Sequence, residues 1–209
     1  MFISNHFFSR QTVLISLMLV SPLVFSATDS SAGQAQREQA AQKVAQQFMK
    51  QLGGHLKKEM KSNGPVAAIK VCKDVAPEIA NELSLENGWR VTRVTTKTRN
   101  SMLGTPDLWE RETLAAFEAR AEKGESYSAM KQSEIVDEAG KSYYRFMKPL
   151  AVQPVCLKCH GSNEQIPEKV QAELNKQYPF DQARNYKIGD LRGAISIKQP
   201  MDTPLKKKF

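Results

Sequence analysis

The sequence predicts an α+β fold in which an antiparallel sheet is flanked by helices. Two stretches rich in β-branched residues, WRVTRVTTK (89–97) and RGAISIK (192–198), have the composition of β-strands. An apolar stripe that recurs every four residues over 44–60 predicts a long N-terminal helix. Strands of this kind next to amphipathic helices favour a sheet covered by helices. A length of 209 residues fits one domain.

The chain opens with a segment typical of a secretory signal. The apolar run 12–25 follows Arg10, the only charged side chain of this region, and the small residues Val24 and Ser26 favour cleavage after Ser26. The run is short for a hydrocarbon core of about 30 Å, so a signal that is removed is favoured over an uncleaved anchor. We therefore expect residues 1–26 to be lost on export to the periplasm.

The first half of the exported chain is expected to be mainly helical. After a mobile lead over 27–35, a helix is predicted over 36–62, where Gly53 and Gly54 weaken its middle and the sequence Asn-Gly-Pro at 63–65 ends it. The apolar stripe of this helix consists of Val44, Phe48, Leu52, Leu56 and Met60.

A second helix and a first strand follow. A short apolar piece over 65–72 leads into a helix over 74–86, which has Pro77 near its start and Gly88 after its end. The segment 89–97 is the first predicted strand, because β-branched residues alternate loosely along it.

The second half alternates between helix and strand. A helix is predicted from Thr105, as N-cap, to about Lys123. Two strands are expected over 126–136 and 142–152, joined by a turn at 137–140. A helix near 164–176 and a last strand over 192–198 then complete one domain over 36–200.

Charge points to the kind of partner. The net charge of +8 falls to +7 when Arg10 leaves with the signal, since residues 1–26 contain no acidic side chain, and the tail 201–209 carries part of the excess. An exported protein rarely meets nucleic acid. A basic surface in that compartment suits an acidic redox partner protein or anionic lipid headgroups.

The residues that carry chemistry are Cys156, Cys159 and His160, which form the pattern C-x-x-C-H. This pattern marks covalent attachment of a c-type haem. Thiols separated by two residues can reach the two vinyl groups of one porphyrin, and the next residue then directs its imidazole at the iron. Two alternatives remain open at this point, namely a Cys3His zinc site completed by Cys72 and a thioredoxin-like redox pair. Zinc is disfavoured because Cys159 and His160 are adjacent, and no thioredoxin-like βαβ pattern precedes the motif.

The second axial ligand of such a haem is open from the residues alone. His, Met and Cys all serve in this role. Loss of the signal removes His6 and leaves His55 as the remaining histidine outside the motif. Met147 and Met201 are further candidates. Cys72 is the odd thiol of an exported chain, and an odd thiol needs an explanation.

Several segments resemble a PAS-like family of exported c-type proteins with one haem. They are VCKDVAPEIA (71–80), GWRVTRVTTKTRN (88–100), TPDLWE (105–110), YYRFMKPLAVQPVCLKCHG (143–161) and YPFDQARNYKIGDLRGAISI (178–197). The resemblance implies a PAS-like sheet and an iron held by His160 and Cys72. This chain departs from the family pattern in reading Arg-Val-Thr at 93–95 and Arg-Asn-Ser at 99–101.

A haem closed on both faces favours electron transfer or redox sensing over catalysis. The resemblance implies a thiolate ligand, which would stabilise ferric iron and lower the reduction potential. The alternative is a haem enzyme or gas binder in which the sixth ligand is displaced.

We expect export and covalent haem to occur together, because the C-x-x-C-H motif follows a signal segment. Mass spectrometry of the periplasmic protein should give a chain that begins at Ala27 or Thr28 and is heavier by one haem. A mature chain without haem, or one that keeps residues 1–25, would contradict this expectation.

Overall fold

The computed structural model describes residues 1–2 and 27–205, with side-chain surroundings from residue 31 onward. The expected signal run and its cleavage site lie outside the described residues, as does the tail end over 206–209.

Four antiparallel strands form the sheet, which confirms the α+β prediction. They are β1 (Arg90–Val94), β2 (Gln132–Glu138), β3 (Lys141–Ala151) and β4 (Leu191–Pro200), in the order β1-β4-β3-β2. The stretch RGAISIK lies in β4, which has a partner strand on each side. This central position explains its nearly continuous burial, because neither face of the strand meets water.

Seven helices surround the sheet in the described part of the chain. They are α1 (Ala27–Ser62), α2 (Gly64–Lys70), α3 (Ala76–Asn87), α4 (Ser101–Gly104), α5 (Leu108–Glu122), α6 (Leu157–His160) and α7 (Glu168–Gln177). The segment 27–35, expected as a mobile lead, is helical and belongs to α1. A π-helical turn over Val71–Val75 joins α2 to α3. None of the described helices has the length and apolar character that a membrane crossing requires.

Helices cover both faces of the sheet. On one face, Phe48 of α1 and Leu83 of α3 pack against Ile195 and Ile197 of β4. On the other face, Phe117 and Leu114 of α5 pack against Met147 of β3 and Ala194 of β4. Successive side chains of a strand point to opposite faces, which is how β4 serves both layers.

The start of α5 differs from the sequence prediction. Its N-cap is Asp107 rather than Thr105. Asp107 Oδ1 accepts the Glu110 N–H at 2.9 Å, and Glu110 Oε2 accepts the Asp107 N–H at 2.8 Å. This capping box satisfies two backbone donors at once and outcompetes a single hydroxyl. The Thr105 hydroxyl instead donates to the carbonyl of Ser101 at 2.7 Å.

A two-residue loop closes the hairpin of β2 and β3. Ala139 and Gly140 have positive φ of 50° and 79°, as the common two-residue hairpin loops of type I′ require. The turn predicted at 137–140 is therefore tighter than expected. The strand before it begins at Gln132 instead of Ser126, because residues 127–129 form a turn.

A buried arginine joins the helix start to this hairpin. The Arg145 side chain is 1% exposed, and its guanidinium lies 2.7 Å from Asp107 Oδ2, 3.2 Å from Glu110 Oε1 and 2.8 Å from Glu138 Oε1. The Trp109 ring covers it at 4.6 Å. Breaking a buried charge cluster leaves uncompensated charge and is strongly destabilising.

We expect Arg145→Met to lower the free energy of unfolding by about 3–5 kcal/mol, because Glu110 would stay buried without its cation. Denaturant unfolding followed by circular dichroism measures this loss. Arg120→Gln is the matched control, since it removes an exposed ion pair with Glu125, and it should have little effect. Equal losses in the two variants would contradict the prediction.

The same cluster predicts acid sensitivity. Burial raises the pKa of both Asp107 and Glu138. Hydrogen bonds from the Glu110 N–H and Arg145 to Asp107, and from Lys198 and Arg145 to Glu138, outweigh burial and hold both pKa values below normal. A carboxylate whose pKa is lower in the folded than in the unfolded state stabilises the fold above the unfolded pKa, and this stabilisation is lost as the pH falls through the folded pKa. The stability difference between wild type and Arg145→Met should therefore shrink below about pH 4.

Candidate functional site

A cavity of about 650 Å³ lies between the sheet and the layer formed by α1, α2 and α3. This volume is within the roughly 300–1,000 Å³ typical of pockets for small molecules and cofactors. The apolar stripe of α1 divides at this point. Val44 and Phe48 are buried in the core, whereas Leu52, Leu56 and Met60 line the cavity.

One wall of the cavity carries Cys72. This residue lies in the π-helical turn between α2 and α3, and its thiol is half-buried and free. A π-helical turn inside a helical segment is rare and is frequently found at functional sites. The sequence indicated only an apolar piece followed by a helix start, so the turn could not be predicted.

The C-x-x-C-H motif lines the same cavity. A 3-10 turn over Pro154–Cys156 leads into α6, and Cys156, Cys159 and His160 all line the cavity that Cys72 lines. The three thiols are free. The fold thus brings together residues that the sequence separates widely.

The orientation of His160 suits a metal ligand. Its Nδ1–H donates to the Ala183 carbonyl at 2.8 Å, and Nε2 accepts a hydrogen bond from Arg192 Nε at 3.4 Å. Burial, followed by the charges of Arg192 and Arg99, holds the pKa of His160 well below its usual range. The imidazole is therefore neutral at pH 7, and the Nε2 lone pair, which accepts from Arg192, is the one that a metal could bind.

A guanidinium lies beside His160 in the lining of the cavity. Arg192 lines the cavity, and its Nε donates to His160 Nε2 at 3.4 Å. A metal bound to His160 Nε2 would take the place of this hydrogen bond.

The zinc alternative is not supported by the geometry. Across residues 1–2 and 27–205, no three His, Cys, Asp or Glu side chains converge in a way that could hold an ion. Burial raises the pKa of the Cys159 thiol to about 11, so this thiol is protonated at pH 7 when no metal is bound.

The other sequence candidates for a second ligand lie elsewhere. His55 is exposed on α1, and Met147 is fully buried in the layer beneath α5. Met201 packs against the core on the other face. None of the three lines the cavity. Two methionines that do line it, Met49 and Met60, were expected from the sequence only as apolar residues of α1 and not as ligands.

Sequence reasoning also missed the cations of the cavity. Arg93, Arg99 and Arg192 line it together with the apolar residues. Their spacing in β1, the following loop and β4 gives no sequence signal, because only the pairing of β1 with β4 brings the segments together.

Comparison with known proteins gives one family and one fold match. The family model Tll0287-like matches residues 29–200. The solved structure of the cyanobacterial heme-protein Tll0287 is similar, with a TM-score of 0.57 and 22% identity over 84% of this chain and 98% of that one. At this identity the likeness shows the fold. No curated protein matches the chain significantly.

We expect Gly193→Ala to destabilise the cavity wall by about 1–3 kcal/mol. Gly193 has φ +140°, and a Cβ there would lie 2.3 Å from the Val94 carbonyl oxygen and 2.9 Å from Thr95 Cβ. Gly54→Ala in the exposed middle of α1 is the control, since a Cβ there meets nothing within 4 Å. It should instead stabilise by up to about 1 kcal/mol. Thermal unfolding should separate the two variants in opposite directions, and a shift of the same sign would refute this reading of Gly193.

Proposed function

The chain belongs to the Tll0287-like family, and on that premise we propose that it is a periplasmic c-type haem protein for low-potential electron transfer or redox sensing. The observation that carries the proposal is the meeting of Cys72 with Cys156, Cys159 and His160 around one cavity. A thiol and a neutral imidazole that line one cavity, together with two further thiols at C-x-x-C spacing, match the needs of a covalently attached haem with two protein ligands.

The roles of the four residues follow from their chemistry. Cys156 and Cys159 would form the thioethers, and His160 Nε2 and Cys72 Sγ would hold the iron. A haem bound in this way supplies a one-electron ferric/ferrous couple. The hydrogen bond from His160 Nδ1–H to the Ala183 carbonyl fixes the imidazole tautomer whose unprotonated nitrogen is Nε2, and Arg192 would release Nε2 to the iron.

The polar part of the cavity fits the carboxylates of a haem. Arg93 and Arg192 line the cavity, and neither forms an ion pair with a carboxylate in the described part of the chain. Buried cations are normally paired with anions. We infer that these two guanidinium groups would face the propionates, while Leu52, Leu56 and Met60 contact the apolar surface of the ring.

Two protein ligands favour electron transfer or sensing over catalysis. With Cys72 and His160 both on the iron, no position is vacant for a substrate. The Cys72 thiolate would donate electron density and stabilise the ferric state, which gives a potential below that of a Met/His cytochrome. The competing function is a haem enzyme or gas binder in which Cys72 leaves the iron. It predicts that carbon monoxide binds to the reduced wild-type protein.

We expect Cys72→Ala to keep the covalent haem, since Cys156 and Cys159 are untouched. It should raise the reduction potential and replace the low-spin thiolate spectrum of the ferric protein with that of an open or substituted iron. Absorption spectra of the ferric and ferrous states, with and without carbon monoxide, measure both changes. Carbon monoxide should bind the reduced variant and leave the wild-type spectrum unchanged.

Matched variants test the other candidate ligands. His55→Ala and Met147→Leu should leave the haem spectrum nearly unchanged, because neither side chain lines the cavity. A wild-type spectrum in Cys72→Ala, together with its loss in His55→Ala, would establish bis-His ligation and refute the His/Cys assignment. Carbon monoxide binding to the reduced wild type would favour the displaceable-ligand function.

The partner follows from charge. We propose that an acidic redox protein docks against this basic chain, whose net charge is +7 without residues 1–26. Electron exchange with an acidic partner should slow as ionic strength rises, because exposed charges are screened within about 8 Å at physiological salt. Stopped-flow rates at low and high salt measure this effect. Rates that do not depend on salt would exclude electrostatic docking.

A further inference from the structure

Arg99 links the motif helix α6 to the loop over 181–186, whose Ala183 carbonyl accepts the hydrogen bond from His160. It follows β1, lines the cavity and has a side chain that is only 9% exposed. We propose that Arg99 is a positioning residue that limits the donor strength of His160 by sharing the Ala183 carbonyl with it. This inference rests on the proposed haem ligation and names the group that tunes it.

The Arg99 guanidinium makes three contacts at once. Its terminal nitrogen donates to the Cys159 carbonyl at 2.6 Å and to the Ala183 carbonyl at 3.1 Å. Its Nε donates to Asp181 Oδ1 at 3.1 Å. A planar guanidinium can serve such divergent acceptors, whereas a lysine ammonium acts as a compact point charge.

The Ala183 carbonyl therefore receives two donors. His160 Nδ1–H reaches it at 2.8 Å and Arg99 at 3.1 Å. The partner of the non-ligating nitrogen sets the basicity of a metal-bound imidazole. A cationic donor on the same oxygen draws electron density away from the His160 hydrogen bond. His160 is then a weaker electron donor than it would be with a carbonyl to itself.

Asp181 holds this arrangement in place. Its side chain is 3% exposed, accepts the Ala183 N–H at 2.9 Å and pairs with both Arg99 and Arg184. The carboxylate thus fixes both the guanidinium and the peptide whose carbonyl they share. It also compensates the Arg99 charge, as a buried cation requires.

Arg184 provides a matched control for a purely structural role. Its Nε pairs with the same carboxylate, Asp181 Oδ2, at 3.0 Å, and its terminal nitrogen donates to Asn175 at 2.8 Å. It is not among the donors to the Ala183 or Cys159 carbonyls, and it does not line the cavity. Removing Arg184 removes one cation and one Asp181 contact and leaves the shared carbonyl intact.

The test compares Arg99→Gln, Arg99→Lys and Arg184→Gln with wild type in the full holoprotein. Three quantities are measured: haem content by pyridine haemochrome, the midpoint reduction potential, and the proton resonance of His160 Nδ1–H in the reduced protein. Arg99→Lys keeps the charge, so it separates loss of the fork-like contact from loss of a nearby cation. It also serves if Arg99→Gln fails to accumulate.

We expect every variant to carry one covalent haem. Arg99→Gln should favour the ferric state about tenfold more than wild type, which is about 59 mV more negative for a one-electron couple. Arg99→Lys should shift the potential in the same direction by less, and Arg184→Gln should keep the wild-type value. In both Arg99 variants the Nδ1 proton should move to lower field, the direction of a stronger hydrogen bond to Ala183.

Two results overturn the inference while the proposed function stands. One is a wild-type potential in Arg99→Lys together with a more negative potential in Arg99→Gln, which assigns the shift to charge alone. The other is an equal shift in Arg184→Gln, which assigns it to general loosening of the loop. A wild-type protein without covalent haem overturns the proposed function and this inference with it, and it is recognised from haem content.

Discussion

The motif helix α6 is held by hydrogen bonds from outside itself, and the site depends on them. A helix of four residues cannot be stable alone, and its last carbonyl groups lack partners within the helix. Arg99 donates to the carbonyl of Cys159, the Tyr186 N–H to that of His160, and the Asn185 N–H to that of Gly161, the last two at 2.9 Å. The segment over 181–186 therefore acts as a brace that sets the direction of the His160 ring.

The brace requires an unusual backbone conformation. Asn185 has φ 61°, a left-handed value that asparagine tolerates better than most residues. This turn lets two successive N–H groups face α6. The same segment supplies the Ala183 carbonyl to His160 and, through Asp181, holds Arg99. One short segment thus stabilises the motif helix and provides the hydrogen-bond partner of His160.

One part of the cavity wall is formed by the apolar stripe of α1. The stripe begins in the core at Val44, and Phe48, Leu52, Leu56 and Met60 line the cavity. An apolar surface of this kind is costly to expose to water. A flat apolar cofactor would cover it. This explains why a helix with a continuous stripe contributes to both the core and the site.

The sequence was sufficient for features that are encoded locally. The β-branched stretches became β1 and β4, the stripe became α1, and Gly88 ends α3 with a left-handed φ of 70°. The predicted N-cap of α5, Thr105, was wrong by two residues. Asp107 is the N-cap because it forms a reciprocal contact with Glu110. The C-x-x-C-H motif is likewise local, and it predicted the residues of one cavity wall.

Long-range features could not be read from the chain. Arg99 and Arg192 look like ordinary surface cations in the sequence, and only the strand register and the 181–186 segment bring them to His160. The π-helical turn at Cys72 has no local signal. Cys72 was predicted as a ligand because three cysteines leave one thiol outside the C-x-x-C-H motif, and because of the family resemblance. That Cys72 lines the same cavity as the motif is known only from the folded chain.

The most direct test of the account is X-ray absorption at the iron edge of the ferric holoprotein. If Cys72 and His160 are the axial ligands, the first coordination shell contains one sulfur and five nitrogen atoms, and the sulfur contribution disappears in Cys72→Ala. A first shell of nitrogen atoms alone in the wild-type protein would contradict the His/Cys site.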